Sequence, residues 1–210
     1  TRVQWSALAD ASPGSSLYDE IVAWAQSFRD FEAPFYFTLH HEPETSGNIP
    51  YGTDSEFNAA WRNVVDIFRA EGVDNAQYLW ITTAWAYQLD SADRRYAPKW
   101  YPGDEWVDAI GADAYNWYNC LNPNNTNWRT LQSVIEAFRQ WGATHPDKPL
   151  MLPEWGSAED AADPDRKGQW ITQAQELFKQ PGYEQFTAVV YFHSEHNAQC
   201  QWWVDSSPAA

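Results

Sequence analysis

Apolar positions along this chain recur at two spacings in turn. Short apolar or alternating runs of about four to eight residues read as strands, and longer stretches with apolar residues three and four apart read as helices. Val3–Leu8 is the first strand candidate. Tyr18–Phe31 has helical spacing, with Ile21, Trp24, Ala25 and Phe28 on one face. Pro34–His41 reads as the second strand. Asp54 is placed to cap a helix running to about Ala70, with Phe57, Trp61, Val64, Val65 and Phe68 inward and Gly72 where a helix ends. Gln77–Thr82 is the third strand, and Trp106–Tyr115 holds the fourth. Thr130–Trp141 is a helix with Leu131, Val134, Ile135 and Phe138 inward. Lys148–Glu154 is the fifth strand, Gly168–Phe178 a helix and Phe186–Phe192 the sixth strand.

Strands separated by helices imply a parallel sheet with right-handed crossovers. Two strand runs end in a glutamate: Phe35-Tyr-Phe-Thr-Leu-His-His41-Glu42-Pro-Glu44, and Lys148-Pro-Leu-Met-Leu-Pro-Glu154-Trp-Gly156. An α/β barrel presents catalytic carboxylates in this way, at the C-terminal ends of its strands. A pair of glutamates on one barrel face suits the acid and nucleophile of a glycoside hydrolase. Six strands fall short of eight, and a full (β/α)8 barrel runs to about 250 residues. The expectation is therefore an α/β chain of TIM-barrel type, a single catalytic domain over residues 1–210. It is expected to be incomplete, truncated at both ends and holding barrel strands three to eight. A compact irregular barrel or an open six-stranded sheet is the alternative.

Composition adds constraints. Fourteen Trp, eleven Tyr and ten Phe exceed what core packing alone requires, and flat aromatic faces suit the C–H faces of sugar rings. The net charge of −16 disfavours nucleic acid and anionic membranes as partners and leaves a neutral polymer compatible. No apolar run reaches about 18 residues, so no membrane-spanning helix is expected. The chain begins at Thr1, which is read as a processed or trimmed start. Asn124-Asn-Thr126 matches a glycosylation sequon.

Cys120 lies in the loop after the fourth strand and Cys200 in the loop after the sixth. Both loops open on the same barrel face, so a disulfide between them is expected in a secreted protein. His193 and His196 have neither a nearby Cys nor clustered acids, and no metal site is assigned to them. Trp85, Trp117 and Trp155 lie just past strand ends and are candidate sugar platforms. His40 points away from whatever His41 faces and reads as structural. Glu44, two residues beyond Glu42, is a rival acid expected on a looser loop.

Taken together, these stretches resemble glycoside hydrolase family 26, whose best-known members are endo-β-1,4-mannanases. The resemblance rests on the His41-Glu42 strand end, Trp61-Arg62-Asn-Val-Val-Asp-Ile-Phe68, Trp100-Tyr-Pro-Gly-Asp-Glu-Trp-Val-Asp108, Gly111-Ala-Asp113-Ala-Tyr115-Asn116-Trp117, Lys148 to Ser157, and Tyr191-Phe192. It implies a (β/α)8 barrel that hydrolyses with retention, its acid/base glutamate following barrel strand four and its nucleophile strand seven. By motif, Glu42 is the implied general acid/base and Glu154 the implied nucleophile. Tyr115 is the implied hydrogen-bond partner of the nucleophile, and His41 the histidine preceding the acid. Two departures leave the sugar open. Thr38 stands where the mannanases usually have arginine, and Pro43-Glu44-Thr45 where they have Met-Asn-Gly. The expected protein is a secreted, monomeric, retaining endo-β-glycanase without cofactor, acting on a β-linked polysaccharide such as mannan. The alternative is a carbohydrate-binding protein on the same scaffold with lost or impaired catalysis.

Overall fold

A computed structural model describes residues 3–194 and 200–206, and in them helices and strands alternate from residue 16 onward except between β2 and β3, which only short 3-10 turns connect. The elements are α1 (Trp5–Ala9), α2 (Ser16–Arg29), β1 (Phe35–Phe37), α3 (Asp54–Ala70), β2 (Ala76–Thr83), β3 (Ala109–Asn116), α4 (Leu131–Gly142), β4 (Leu150–Ser157), α5 (Arg166–Leu177) and β5 (Phe186–Tyr191). The strands form one five-stranded sheet in chain order, β1-β2-β3-β4-β5. β1 runs parallel to β2, with Phe35 opposite Ala76 and Phe37 opposite Tyr78. β4 runs parallel to β5, with Leu150 opposite Phe186 and Trp155 opposite Tyr191.

The first strand expected from the sequence is absent. Residues 5–9 form the short helix α1 instead. Its anchor is Trp5, buried edge-on against Phe57 and Trp100 and stacked on Tyr51. One large side chain with Ser-Ala-Leu-Ala after it satisfies a helical turn as readily as a strand. The Asn63 side chain of α3 ties down the following turn by donating to the carbonyls of Leu8 and Ala11. Five strands remain among the described residues, not six. Glu42 follows the first and Glu154 sits on the fourth. The three-strand offset between the two glutamates is thus kept, with five strands in place of the six expected.

Other boundaries shift for local reasons. Thr53, not Asp54, is the N-cap of α3: its hydroxyl accepts the Glu56 N–H and the Glu56 carboxylate accepts the Thr53 N–H, a reciprocal capping box. Thr53→Ala is expected to cost about 1 kcal/mol, a fall of about 2–4 °C in melting temperature readable by calorimetry. The helix ends as expected at Gly72, whose φ of +78° is the left-handed conformation that a C-terminal cap needs. Ser15 caps α2 and Thr130 caps α4. On α2, Ile21 and Ala25 are buried, but Trp24 is 57% exposed, so it belongs to the margin of the apolar stripe rather than to its centre.

The chain packs as two compact units, Thr1–Ile110 and Gly111–Ala210. The first is built on α3, whose Phe57, Trp61, Val64, Val65 and Phe68 are all buried, as expected. The Trp61 indole donates to the Trp106 carbonyl at 2.8 Å. In the second, Leu131, Val134, Ile135 and Phe138 of α4 are buried, as are Leu150 and Leu152 of β4. No helix among the described residues is long and apolar enough to cross a membrane.

Candidate active site

Glu42 occupies a bend built for it. β1 stops at Phe37 because only residues 35–37 pair in register with β2, and the chain then bends through residues 39–42. Glu42 takes a φ of +50°, left-handed for a residue that has a Cβ. Such a conformation costs on the order of 1–3 kcal/mol and persists only where surroundings impose it. Here the imposition is visible. The Glu42 N–H donates to the Ile81 carbonyl at 3.1 Å. The Glu42 carbonyl accepts from the Asn48 amide at 2.7 Å and the Thr45 hydroxyl at 3.0 Å. Asn48 also donates to the His41 carbonyl at 3.3 Å. The sequence reading passed over Asn48, and a Ser-Gly-Asn turn signal six residues past the acid was the only hint of it.

Glu44 is not on a loose loop. It is 1% exposed, and its Oε1 accepts the Thr83 backbone N–H at 2.6 Å. Its carboxylate holds the β1 exit to the end of β2, a structural task. His40 is likewise a packing residue. Trp5 Nε1 donates to His40 Nδ1 at 3.1 Å, and the ring lies edge-on to Tyr51. Burial holds its pKa below the usual histidine value, outweighing a hydrogen bond with Asn48 that raises it. His41, beside Glu42, is half-buried.

Glu154 lies within β4, three residues before its end rather than at it. The Tyr115 hydroxyl, one residue from the end of β3, donates to Glu154 Oε2 at 2.7 Å. The two strands are locked beside this contact. The Asn116 amide donates to Ser157 Oγ at 2.9 Å, and the Ala158 N–H to the Asn116 carbonyl at 3.0 Å. Alternation then decides Trp155. Its neighbour Glu154 faces Tyr115, so Trp155 turns to the opposite face, where it is 7% exposed and stacked on Trp170 of α5 at 5.3 Å. That ring is a core contact, correcting the expectation of a sugar platform.

The other two tryptophans remain accessible. Trp117, directly after β3, is half-buried and packs on Tyr115 at 5.4 Å. Trp85, in the 3-10 turn after β2, is 44% exposed. The Arg95 guanidinium lies 5.0 Å from its ring centroid and is held there by Asp93, through contacts of 3.0 and 2.8 Å. The Arg95 contact also holds the Asp93 carboxyl well below its ordinary range.

Cys120 and Cys200 form the expected disulfide, with Cα atoms 5.0 Å apart. His193 Nδ1 accepts the Val204 N–H at 3.0 Å, while His196 lies outside the described residues.

Comparison with known proteins places this geometry in context. The sequence pattern of Glycosyl hydrolase family 26 matches residues 14–146. Endoglucanase H of Acetivibrio thermocellus is 30% identical over 161 residues, which make up 75% of this chain and 16% of that protein. Among solved structures, the catalytic domain of an endo-β-1,4-mannanase from Bacillus sp. JAMB-750 superposes with a TM-score of 0.65 at 19% identity, over 93% of this chain and 53% of its own. A β-mannanase from Bacteroides ovatus gives 0.62 at 19% identity, over 95% and 57%. The fold is therefore that of a (β/α)8 barrel in part, and the chain spans about half the length of these structures.

Proposed function

We propose, from the premise that the chain belongs to glycosyl hydrolase family 26, that it carries the acid/base and the nucleophile of a retaining endo-β-glycanase. The observation that carries this reading is the 2.7 Å hydrogen bond from the Tyr115 hydroxyl to Glu154. It fixes one carboxylate oxygen and stabilises the charge that a nucleophile needs. The strained, over-determined backbone of Glu42 supports the same reading for the acid, because such strain collects where a side chain must be aimed.

In the first step the Glu42 carboxylic acid gives its proton to the glycosidic oxygen, and the C–O bond to the departing sugar breaks. The Glu154 carboxylate attacks the anomeric carbon from the opposite face and forms a glycosyl ester. In the second step the Glu42 carboxylate takes a proton from water. The resulting hydroxide equivalent attacks the same carbon and releases Glu154, so two inversions give net retention. Tyr115 donates to Glu154 before attack and after release, and His41, directly before the acid, is assigned to substrate binding.

The substrate is a neutral β-linked polysaccharide such as β-1,4-mannan, with mixed-linkage β-glucan and xylan as the other candidates. The −16 net charge fits a neutral polymer. The disulfide supports an extracellular setting. The test is reducing-end release from mannan, xylan and mixed-linkage β-glucan. Release from one of them is expected; binding without release from any would favour a carbohydrate-binding role instead.

Trp85, exposed and braced by Arg95, is proposed as a sugar platform together with Trp117. Trp85→Ala should raise KM for the polymer about 5–30-fold, the equivalent of about 1–2 kcal/mol of lost contact. kcat should change little. An unchanged KM for long and short oligosaccharides alike would remove Trp85 from the site.

A further inference from the structure

Tyr115 is held by a segment far away in sequence. Its ring meets Trp202 at 4.8 Å, Trp117 at 5.4 Å and Phe192 at 5.9 Å. Of these three, Trp202 is buried, at 1% exposure. It also abuts Trp117 edge-on at 5.0 Å, so it closes the box on two sides. Trp202 is itself pinned along its backbone. Two residues earlier, Cys200 is bonded to Cys120, whose N–H donates to the Trp117 carbonyl at 3.0 Å. The Trp202 N–H donates to the Ser194 carbonyl at 2.8 Å. One residue later, the Trp203 carbonyl accepts from the ammonium of Lys167, a side chain fully enclosed on α5. On β4, Gly156 lies against both the Tyr115 and the Trp202 ring. A Cβ there would lie 3.4 Å from Tyr115 and 3.5 Å from Trp202.

A phenol on a strand end can swing about its side-chain torsions, and hydrogen-bond strength falls steeply with misalignment. What keeps the Tyr115 hydroxyl on Glu154 is the enclosure of its ring, and the buried wall of that enclosure is Trp202. We propose that Trp202, fixed in place by the Cys120–Cys200 disulfide, is a positioning residue that acts through Tyr115 to hold Glu154 for attack. This rests on Glu154 being the nucleophile. The disulfide then serves the reaction as well as stability, because it anchors the residue that aims the tyrosine.

The test is a double-mutant cycle on the full chain. Trp202→Ala should lower kcat about tenfold, in line with the cost of small misplacements at a reacting group. KM should stay within about twofold, because substrate contacts are not removed. Trp202→Phe, which keeps an aromatic wall, should recover most of the loss. In a Tyr115→Phe background, Trp202→Ala should cost nothing more, since the hydroxyl through which it acts is gone. Equal losses in both backgrounds would overturn the proposal, as would wild-type kcat in Trp202→Ala or in Tyr115→Phe. Removing the disulfide by Cys120→Ala with Cys200→Ala should lower kcat in the same direction.

If these variants unfold at the assay temperature, Gly156→Val keeps every ring and adds methyl groups beyond a Cβ that would already touch both Tyr115 and Trp202, so it presses the two rings apart. It should lower kcat with KM held, and an unchanged kcat would overturn the proposal. Failure of the underlying reading looks different: Glu154→Ala would then hydrolyse normally. The positioning claim is in that case decided by a crystal structure of Gly156→Val. A Tyr115 hydroxyl moved off Glu154 in Gly156→Val supports the claim, and the 2.7 Å contact retained there overturns it.

Discussion

Glu154→Ala abolishes turnover, a loss expected to be on the order of 10⁴-fold or more, as for other covalent catalysts stripped of their nucleophile. No glycosyl ester can form without that carboxylate. Glu42→Ala behaves differently, and the contrast is the informative part. A general acid contributes about 10²–10⁴-fold, and it matters most where the leaving group is poor. Hydrolysis of polysaccharide should therefore fall by that factor, while the first step on an activated aryl glycoside largely survives. The glycosyl-enzyme then waits for a water that has no base to activate it. Added azide, which needs no deprotonation, should restore turnover and yield a glycosyl azide. Steady-state rates on polymer and aryl glycoside, with and without azide, check each part. Glu44→Gln should leave these rates nearly untouched, since its carboxylate is occupied with the Thr83 backbone.

The second large effect is on stability. Cys120 and Cys200 close a loop of 80 residues, and in the chain-entropy view such a cross-link stabilises by roughly 2–4 kcal/mol. Replacing both cysteines by alanine should lower the melting temperature by about 10 °C. Titration of the native protein without reductant should find no free thiol. Two titratable thiols would show that the bond does not form in solution. A melting temperature unchanged by the double substitution would show that the loop is held by its other contacts alone, among them the burial of Trp202 and the Lys167 hydrogen bonds to Trp203 and Ser206.

Much of this architecture was legible because its elements are locally consistent. The α3 helix buries seven apolar residues at helical spacing, the five expected among them, with a capping residue before them and a glycine after them. Four strands were placed to within a few residues because they are apolar runs bounded by polar turns. The failure at Val3–Leu8 has a definite cause. Alternation around one tryptophan cannot distinguish a strand from a helical turn, and what decided it was Trp5 docking among Phe57, Trp100 and Tyr51, all distant in sequence.

The site divides in the same way. Residues on regular strands, Tyr115 and Glu154, could be located from motif and register. The contacts around the site were less legible, because they depend on turn geometry or on distant segments. Asn48 meets Glu42 through the backbone of a turn, and Trp202 reaches Tyr115 only after the chain has passed through α4, β4, α5 and β5. Trp155 follows a glutamate that motif places at a strand end, but β4 continues to Ser157, and strand alternation sends its ring to the helix layer.

The central claim is that Glu154 forms a covalent bond to the sugar. The most direct measurement is to incubate the protein with an activated 2-deoxy-2-fluoro glycoside of whichever sugar it hydrolyses and to map the adduct by peptide mass spectrometry. The electron-withdrawing fluorine slows breakdown of the glycosyl ester, so the intermediate accumulates. The expected result is one sugar per chain, carried on the peptide containing Glu154 and absent from Glu154→Ala. An adduct on Glu42 or Glu44, or steady hydrolysis of the reagent with no adduct at any time, would contradict the account.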